Sequence, residues 1–228
     1  MLLNWVRALQ PLTGAAGWHW TADGKFVMNT PAQPSQTPWL HAPAFIEGIE
    51  ETGADCGLFH IYHNNIFERK SIHSFCMECY KVVLVPENLE EVTKVAEWQY
   101  YSGWPCKVGA EIRPYVKDRK WGAYFYCRGL EQGRERYKEV RKWADENLSK
   151  DTRVFLKRAC TEFEQHMGDS DKWEMIPRQD EIEEEGRNIF DYAKLPPRQA
   201  DPIAHHVWDF WDDWVKETPN PVTYHEEG

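Results

Sequence analysis

At 228 residues the chain can bury a core of its own, since single cores run to roughly 100–200 residues, and it has no need of a metal or disulfides to stay folded. Its 37 acidic and 27 basic side chains leave a formal charge of −10, which repels phosphate backbones and anionic lipid surfaces and so disfavours nucleic acid as a partner.

The opening MLLNWVRALQPLTG carries Leu2, Leu3, Trp5, Val6 and Leu9. It is too short to span a bilayer and lacks a small-residue cleavage site after an apolar run, so neither a signal peptide nor a membrane segment is expected and the chain reads as cytoplasmic. Residues 1–55 are rich in Pro, Gly, Thr and Trp and show no sustained period, and 1–75 are expected to form an irregular extension packed on the core.

The middle of the chain is periodic. Lys81–Val85 is a β-branched run of the kind that forms a central strand, ended by Pro86. Glu87–Tyr101 places Leu89, Val92, Ala96 and Tyr100 at helical spacing, with acids in the first turn where the helix dipole favours them. Lys107–Val116 and Trp121–Cys127 read as a hairpin joined by the turn Lys117–Lys120. A second helix follows over 130–148, with Leu130, Gly133, Tyr137, Val140, Ala144 and Leu148 on one face. Arg153–Cys160 reads as the last strand.

This order predicts an α+β fold, a ferredoxin-like split βαβ unit (βαββαβ): a four-stranded antiparallel sheet with two helices on one face, in a core spanning 76–168. Residues 169–228 read as an extended acidic arm that ends in an aromatic helix, capped by Asp201, with Pro202 in its first turn. Its stripe of Ile203, Val207, Phe210, Trp211 and Trp214 needs a surface to cover it. Twelve tryptophans suggest extensive aromatic packing, and the Trp-rich arms are expected to dock on the core, on another protein subunit or on a second copy of the chain.

With no export signal, six cysteines are expected to be reduced thiols that are buried, reactive or metal-bound. The expected strand order, 4-1-3-2, brings Cys76 and Cys79 before strand 1, Cys106 before strand 2, Cys127 at the end of strand 3 and Cys160 at the end of strand 4 to one end of the sheet. Cys76, Cys79, Cys127 and Cys160 are therefore the candidate metal ligands, with Cys106 in reserve and Cys56 unplaced. Soft sulfur selects zinc, copper(I) or iron-sulfur clusters, and a chain able to fold alone tilts the choice toward a cluster over structural zinc.

Two other readings compete for these residues. Free cysteine is a small hydrophobe that packs well in cores. The C-x-x-C pair is also the signature of thiol-disulfide exchange, although here a strand follows it where redox motifs place a helix.

His60, His63 and His73 approach the pair and can complete a thiolate site. After strand 4, Glu162, Glu164 and His166 offer bases beside Cys160. On the hairpin, Arg113 is expected opposite Tyr124 and Glu111 opposite Tyr126, a charged and aromatic patch that a planar ligand or a Trp-rich tail could cover.

No P-loop, dinucleotide glycine motif, G-x-S-x-G or H-E-x-x-H is present. The sequence thus predicts a metal-thiolate protein, an iron-sulfur protein first, acting as a redox or accessory subunit. The alternatives are a non-catalytic interaction protein with a zinc-thiolate site, then a C-x-x-C thiol-disulfide oxidoreductase.

Overall fold

The computed structural model describes residues 2–10, 13, 18–28, 38–44, 71–190 and 205–217. Cys56, His60, His63 and the start expected for the last helix, Asp201 to Ile203, lie outside the described residues. The chain forms two compact units that are not contiguous in sequence: residues 1–34, 47–79 and 158–198 make the first, and 35–46, 80–157 and 199–228 the second.

A sheet of five strands, β3 (Trp39–His41), β4 (Cys79–Val85), β5 (Cys106–Ala110), β6 (Trp121–Arg128) and β7 (Arg153–Arg158), runs in the order β3-β5-β6-β4-β7, all of it but Cys79 and Arg158 in the second unit. The count corrects the expected four. The fifth strand comes from a stretch read as irregular, because three residues after a proline-rich run leave no period to detect. Antiparallel pairing sets Trp39 against Gly109, Lys107 against Tyr124 and Ala110 against Trp121.

Alternation along each strand sorts the side chains into two faces. Val82, Leu84, Val108, Ala110, Trp121, Ala123 and Phe125 join one core with helices α3 (Leu89–Tyr101) and α4 (Gly129–Asn147), whose Val92, Val95, Val140 and Ala144 are buried against them. Gly133 lets α4 lie close, since a Cβ there would sit 2.9 Å from Leu156 Cδ1. Helix α3 begins where Asn88 Oδ1 accepts from the Glu91 N–H at 3.0 Å. Glu91 reaches back to accept from the Glu87 N–H at 2.9 Å and from the Ser149 N–H at 2.8 Å. Burial works to raise the Glu91 pKa, but the hydrogen bonds from Ser149 and Glu87 outweigh it and hold the carboxyl below its usual value.

Helix α7 (His205–Glu217) covers the same face. Val207 and Trp211 are buried in this core, Trp208 and Trp214 pack at its margin, and Trp211 Nε1 donates to the Pro38 carbonyl at 2.9 Å. Of the described stripe residues, Val207, Trp211 and Trp214 are thus packed on the chain's own sheet, whereas Phe210 is exposed.

The first unit contains α1 (Leu2–Leu9), the hairpin β1 (Trp18–Trp20) and β2 (Phe26–Met28), α2 (Ser74–Met77), α5 (Thr161–Met167), a 3₁₀ turn at Ser170–Lys172 and α6 (Gln179–Ile189). Aromatic rings join its distant segments: Phe190 meets Trp5 and Phe26 edge-on at centroid distances of 6.2 and 5.9 Å. Helix α6 corrects the expectation of an extended acidic arm. Its buried stripe is Gln179, Glu183, Gly186 and Ile189, mostly polar, so a hydrophobic period does not reveal it. None of the helices among the described residues is long and apolar enough to cross a membrane.

Candidate functional site

Three of the four candidate ligands, Cys76, Cys79 and Cys160, belong to the first unit, and Cys127 to the second. Cys76 lies on α2, buried with Ile72 and Met77 against Phe163 and Met167 of the first unit. Cys79 opens β4, and its carbonyl accepts from the Ala159 N–H at 2.8 Å. Strand β7 stops at Arg158. Ala159 turns into the left-handed region (φ 55°), so Cys160 caps α5 instead of ending a strand. Cys79 and Cys160 are half-buried, whereas Cys76, Cys106 and Cys127 are buried.

Strand β4 does lie between β6 and β7, as the sequence order requires, but proximity of strands is only half of the geometry. Cys127 alternates with Phe125 and Ala123 on the helix-covered face, while Cys79 alternates with Lys81 and Val83 on the opposite one. Among the described residues no three His, Cys, Asp or Glu side chains form a group that could hold a metal ion.

The cysteines of the second unit sit in packing positions. Cys106 Sγ donates to the Trp104 carbonyl at 3.2 Å, and burial pushes its thiol up to about 12. Burial also raises the Cys127 thiol, whose Sγ donates to the Phe125 carbonyl at 3.7 Å. Arg136 stacks its guanidinium 3.5 Å from the centroid of the Trp104 ring. Its positive charge opposes the effect of burial on both thiols but does not overcome it.

Near Cys76 the first unit buries a polar network that hydrophobic periodicity misses. Glu183 accepts from the Ser74 N–H at 2.8 Å, from the Ser74 hydroxyl and from Gln179 Nε2 at 2.7 Å. Gln179 Nε2 also donates to the Ile72 carbonyl at 2.7 Å. His73 caps α2, its Nδ1 accepting from the Phe75 N–H at 3.0 Å, and its Nε2 lies 3.7 Å from Glu183. Burial first, then the positive charge of Arg187, lowers His73 to about 4, so its imidazole is neutral at pH 7. A Glu four residues after Gln179 on an acidic helix is the one sequence signal for this network, and it also fits a solvated face. Farther along the first unit, Glu164 accepts from the Ser170 hydroxyl at 2.7 Å, while His166 is exposed.

On the sheet face opposite helices α3 and α4, the charged and aromatic patch forms with a register different from the one expected. Strand β5 ends at Ala110, so Lys107, not Arg113, lies across from Tyr124. Arg113 and Glu111 reach Tyr124 from the loop that follows. Lys107 Nζ stands 4.6 Å from the Trp39 ring centroid, and Arg113 Cζ 5.5 Å from that of Tyr124. Compared with known proteins, the chain matches no family model, no curated protein and no solved structure.

Proposed function

We propose that the chain acts through the thiols of its first unit, with Cys79 and Cys160 as a dithiol that exchanges with a disulfide partner. The observation that carries this reading is the 2.8 Å bond from the Ala159 N–H to the Cys79 carbonyl, which brings the backbone beside Cys160 against Cys79, together with the partial exposure of both thiols. One thiolate attacks the partner disulfide and expels a partner thiolate, leaving a mixed disulfide. The second cysteine's thiolate then attacks the first cysteine's sulfur and releases the partner as a dithiol. Two electrons and two protons pass to the partner.

A second reading, a metal-thiolate protein holding an iron-sulfur cluster or zinc, draws on Cys76, Cys79 and Cys160 lying in one unit at the two-residue spacing of a metal-binding pair. The same ends of β4 and β7 serve either chemistry. The sheet around them we read as a ferredoxin-like split βαβ unit with β3 added at one edge, a reading supported by the neighbour order β5-β6-β4-β7.

The test is to purify the full chain without oxygen, measure iron, sulfide and zinc, oxidise the metal-free protein with oxidised glutathione and map the disulfides. Dithiol exchange predicts a Cys79–Cys160 bond, and a glutathione adduct trapped in C79S or C160S. Stoichiometric iron with sulfide, or zinc, lost in C79S, would replace this reading with the metal one. Metal-free protein with no bond between these residues would end both.

A further inference from the structure

Arg158, the last residue of β7, reaches two backbone carbonyls of the first unit at once. Its Nε donates to the Met77 carbonyl at 2.8 Å and its Nη1 to the Ser170 carbonyl at 2.7 Å. Met77 ends α2, where helix carbonyls lack intrahelical partners, and it stands two residues before Cys79. The exposed Asp171 carboxylate, 4.0 Å from the same Nη1, is too distant and too well solvated to compete with these bonds.

The Ser170 hydroxyl in turn donates to Glu164 at 2.7 Å. Glu164 belongs to α5, whose first turn fixes Cys160: the Cys160 carbonyl accepts from the Phe163 N–H at 3.0 Å and from the Glu164 N–H at 3.2 Å. A chain of contacts therefore runs from the segment that carries Cys79, through Arg158 and Ser170, to the helix that carries Cys160. Beside it, Ala159 donates to the Cys79 carbonyl while holding a φ of 55°, a conformation that a residue with a Cβ keeps only where its surroundings impose it. A guanidinium is planar and spreads its donors at fixed angles, so it sets the spacing of two carbonyls as a lysine ammonium cannot.

We infer that Arg158 is a positioning residue for the dithiol: by holding Met77 and Ser170 it keeps Cys79 and Cys160 at the separation from which their disulfide closes. This inference rests on the dithiol reading of that pair. Disulfides tolerate a narrow range of Cα and Cβ separations, and two groups held within reach react as though each were at high concentration.

Equilibrating the full chain with mixtures of oxidised and reduced glutathione tests it. The reduced pair and one oxidised glutathione give the Cys79–Cys160 disulfide and two reduced glutathione molecules, so the ratio at half-oxidation reads the reduction potential. Arg158→Met keeps an apolar stem but no donor, and its oxidation constant should fall roughly tenfold or more, raising the potential by about 30 mV or more. Arg158→Lys reaches at most one of the two carbonyls and should shift the potential part of the way; it carries the test if the Met variant does not fold. Phe190→Leu loosens the packing on Trp5 and Phe26 in the same unit. That loss weakens the reduced and oxidised chains alike, so its melting temperature should fall while its potential matches the parent's. A parental potential in a folded Arg158 variant, or an equal shift in Phe190→Leu, would overturn the positioning role and leave the dithiol reading standing. A parent chain that forms no Cys79–Cys160 bond would remove both.

Discussion

The Tyr124 hydroxyl donates to Glu111 at 2.6 Å and accepts from Arg113 Nη2 at 2.7 Å, while Arg113 also pairs with the same carboxylate. Glu111 is buried, so the tyrosine and the arginine together satisfy a charge that would otherwise be costly away from water. Tyr124→Phe should destabilise the chain by about 1–3 kcal/mol, read from urea unfolding with an unchanged m-value.

The same residue sets an alkaline limit. Burial first, then the negative charge of Glu111, raises the Tyr124 pKa. A raised folded pKa means that the unfolded chain releases the proton first, so the stabilisation is complete below the ordinary tyrosine value near 10 and is lost as pH rises above it. Melting temperature should fall more steeply above about pH 10 in the parent chain than in Tyr124→Phe. Parallel curves would show that the hydroxyl is not held this way.

Gly109 faces Trp39 across the edge pair, and a Cβ added there would lie 2.0 Å from the Pro38 carbonyl oxygen. Backbone cannot swing aside as a flexible side chain can, so Gly109→Ala must push β3 off the sheet. Amide exchange at Trp39–His41 should accelerate strongly while that of β4 and β6 is preserved, with a loss of about 1–3 kcal/mol. Unchanged protection at β3 would show that the edge strand tolerates the shift.

Trp211 is fully buried between Trp121 and the Pro38 carbonyl, with ring centroids of the two tryptophans 5.9 Å apart. Trp211→Ala should cost about 3–5 kcal/mol, and Trp211→Phe less, since it keeps much of the volume but leaves the Pro38 carbonyl without this donor. Denaturant midpoints of the two variants give the comparison; equal midpoints would assign the whole effect to something other than cavity volume.

Strands β4, β6 and β7 and helices α3 and α4 were legible because apolar residues mark them at the periods of strand and helix. What failed to show had physical reasons of the same kind. Helix α6 buries Gln179 and Glu183 through hydrogen bonds to Ile72 and Ser74, and a polar stripe looks like a solvated face. The polar stretch 117–120 suggests a four-residue turn, whereas the link between β5 and β6 runs from Glu111 to Lys120, and that difference takes Arg113 off the sheet. For the cysteines, strand order is legible, but a shared end of the sheet does not imply a shared face: Cys79 sits two residues before Lys81, on the face away from Cys127. Ala159, at φ 55°, carries no sequence mark, so the turn that takes Cys160 out of β7 could not be foreseen.

His73 gives a prediction with a sharp pH window. Its imidazole is buried, its Nδ1 accepts from the Phe75 N–H, and burial with the Arg187 charge lowers its pKa to about 4 from 6.5. Glu183, 3.7 Å from Nε2, favours the charged form but does not offset the burial. A depressed folded pKa means that the unfolded chain takes up the proton first. The contribution is therefore complete above the unfolded value, and it is lost progressively as pH falls from 6.5 toward about 4. The full shift corresponds to roughly 3 kcal/mol, an upper bound on what acid removes through this one group. His73→Asn keeps a side-chain acceptor for the cap at Phe75 and cannot be protonated in this range, so its stability should be flatter between pH 7 and 4. Urea unfolding at half-unit steps measures both slopes, and the difference between them should correspond to the uptake of up to one proton on unfolding near pH 5. If the two chains lose stability in parallel, His73 is not the group that titrates, and the carboxylates of the surface account for the acid sensitivity.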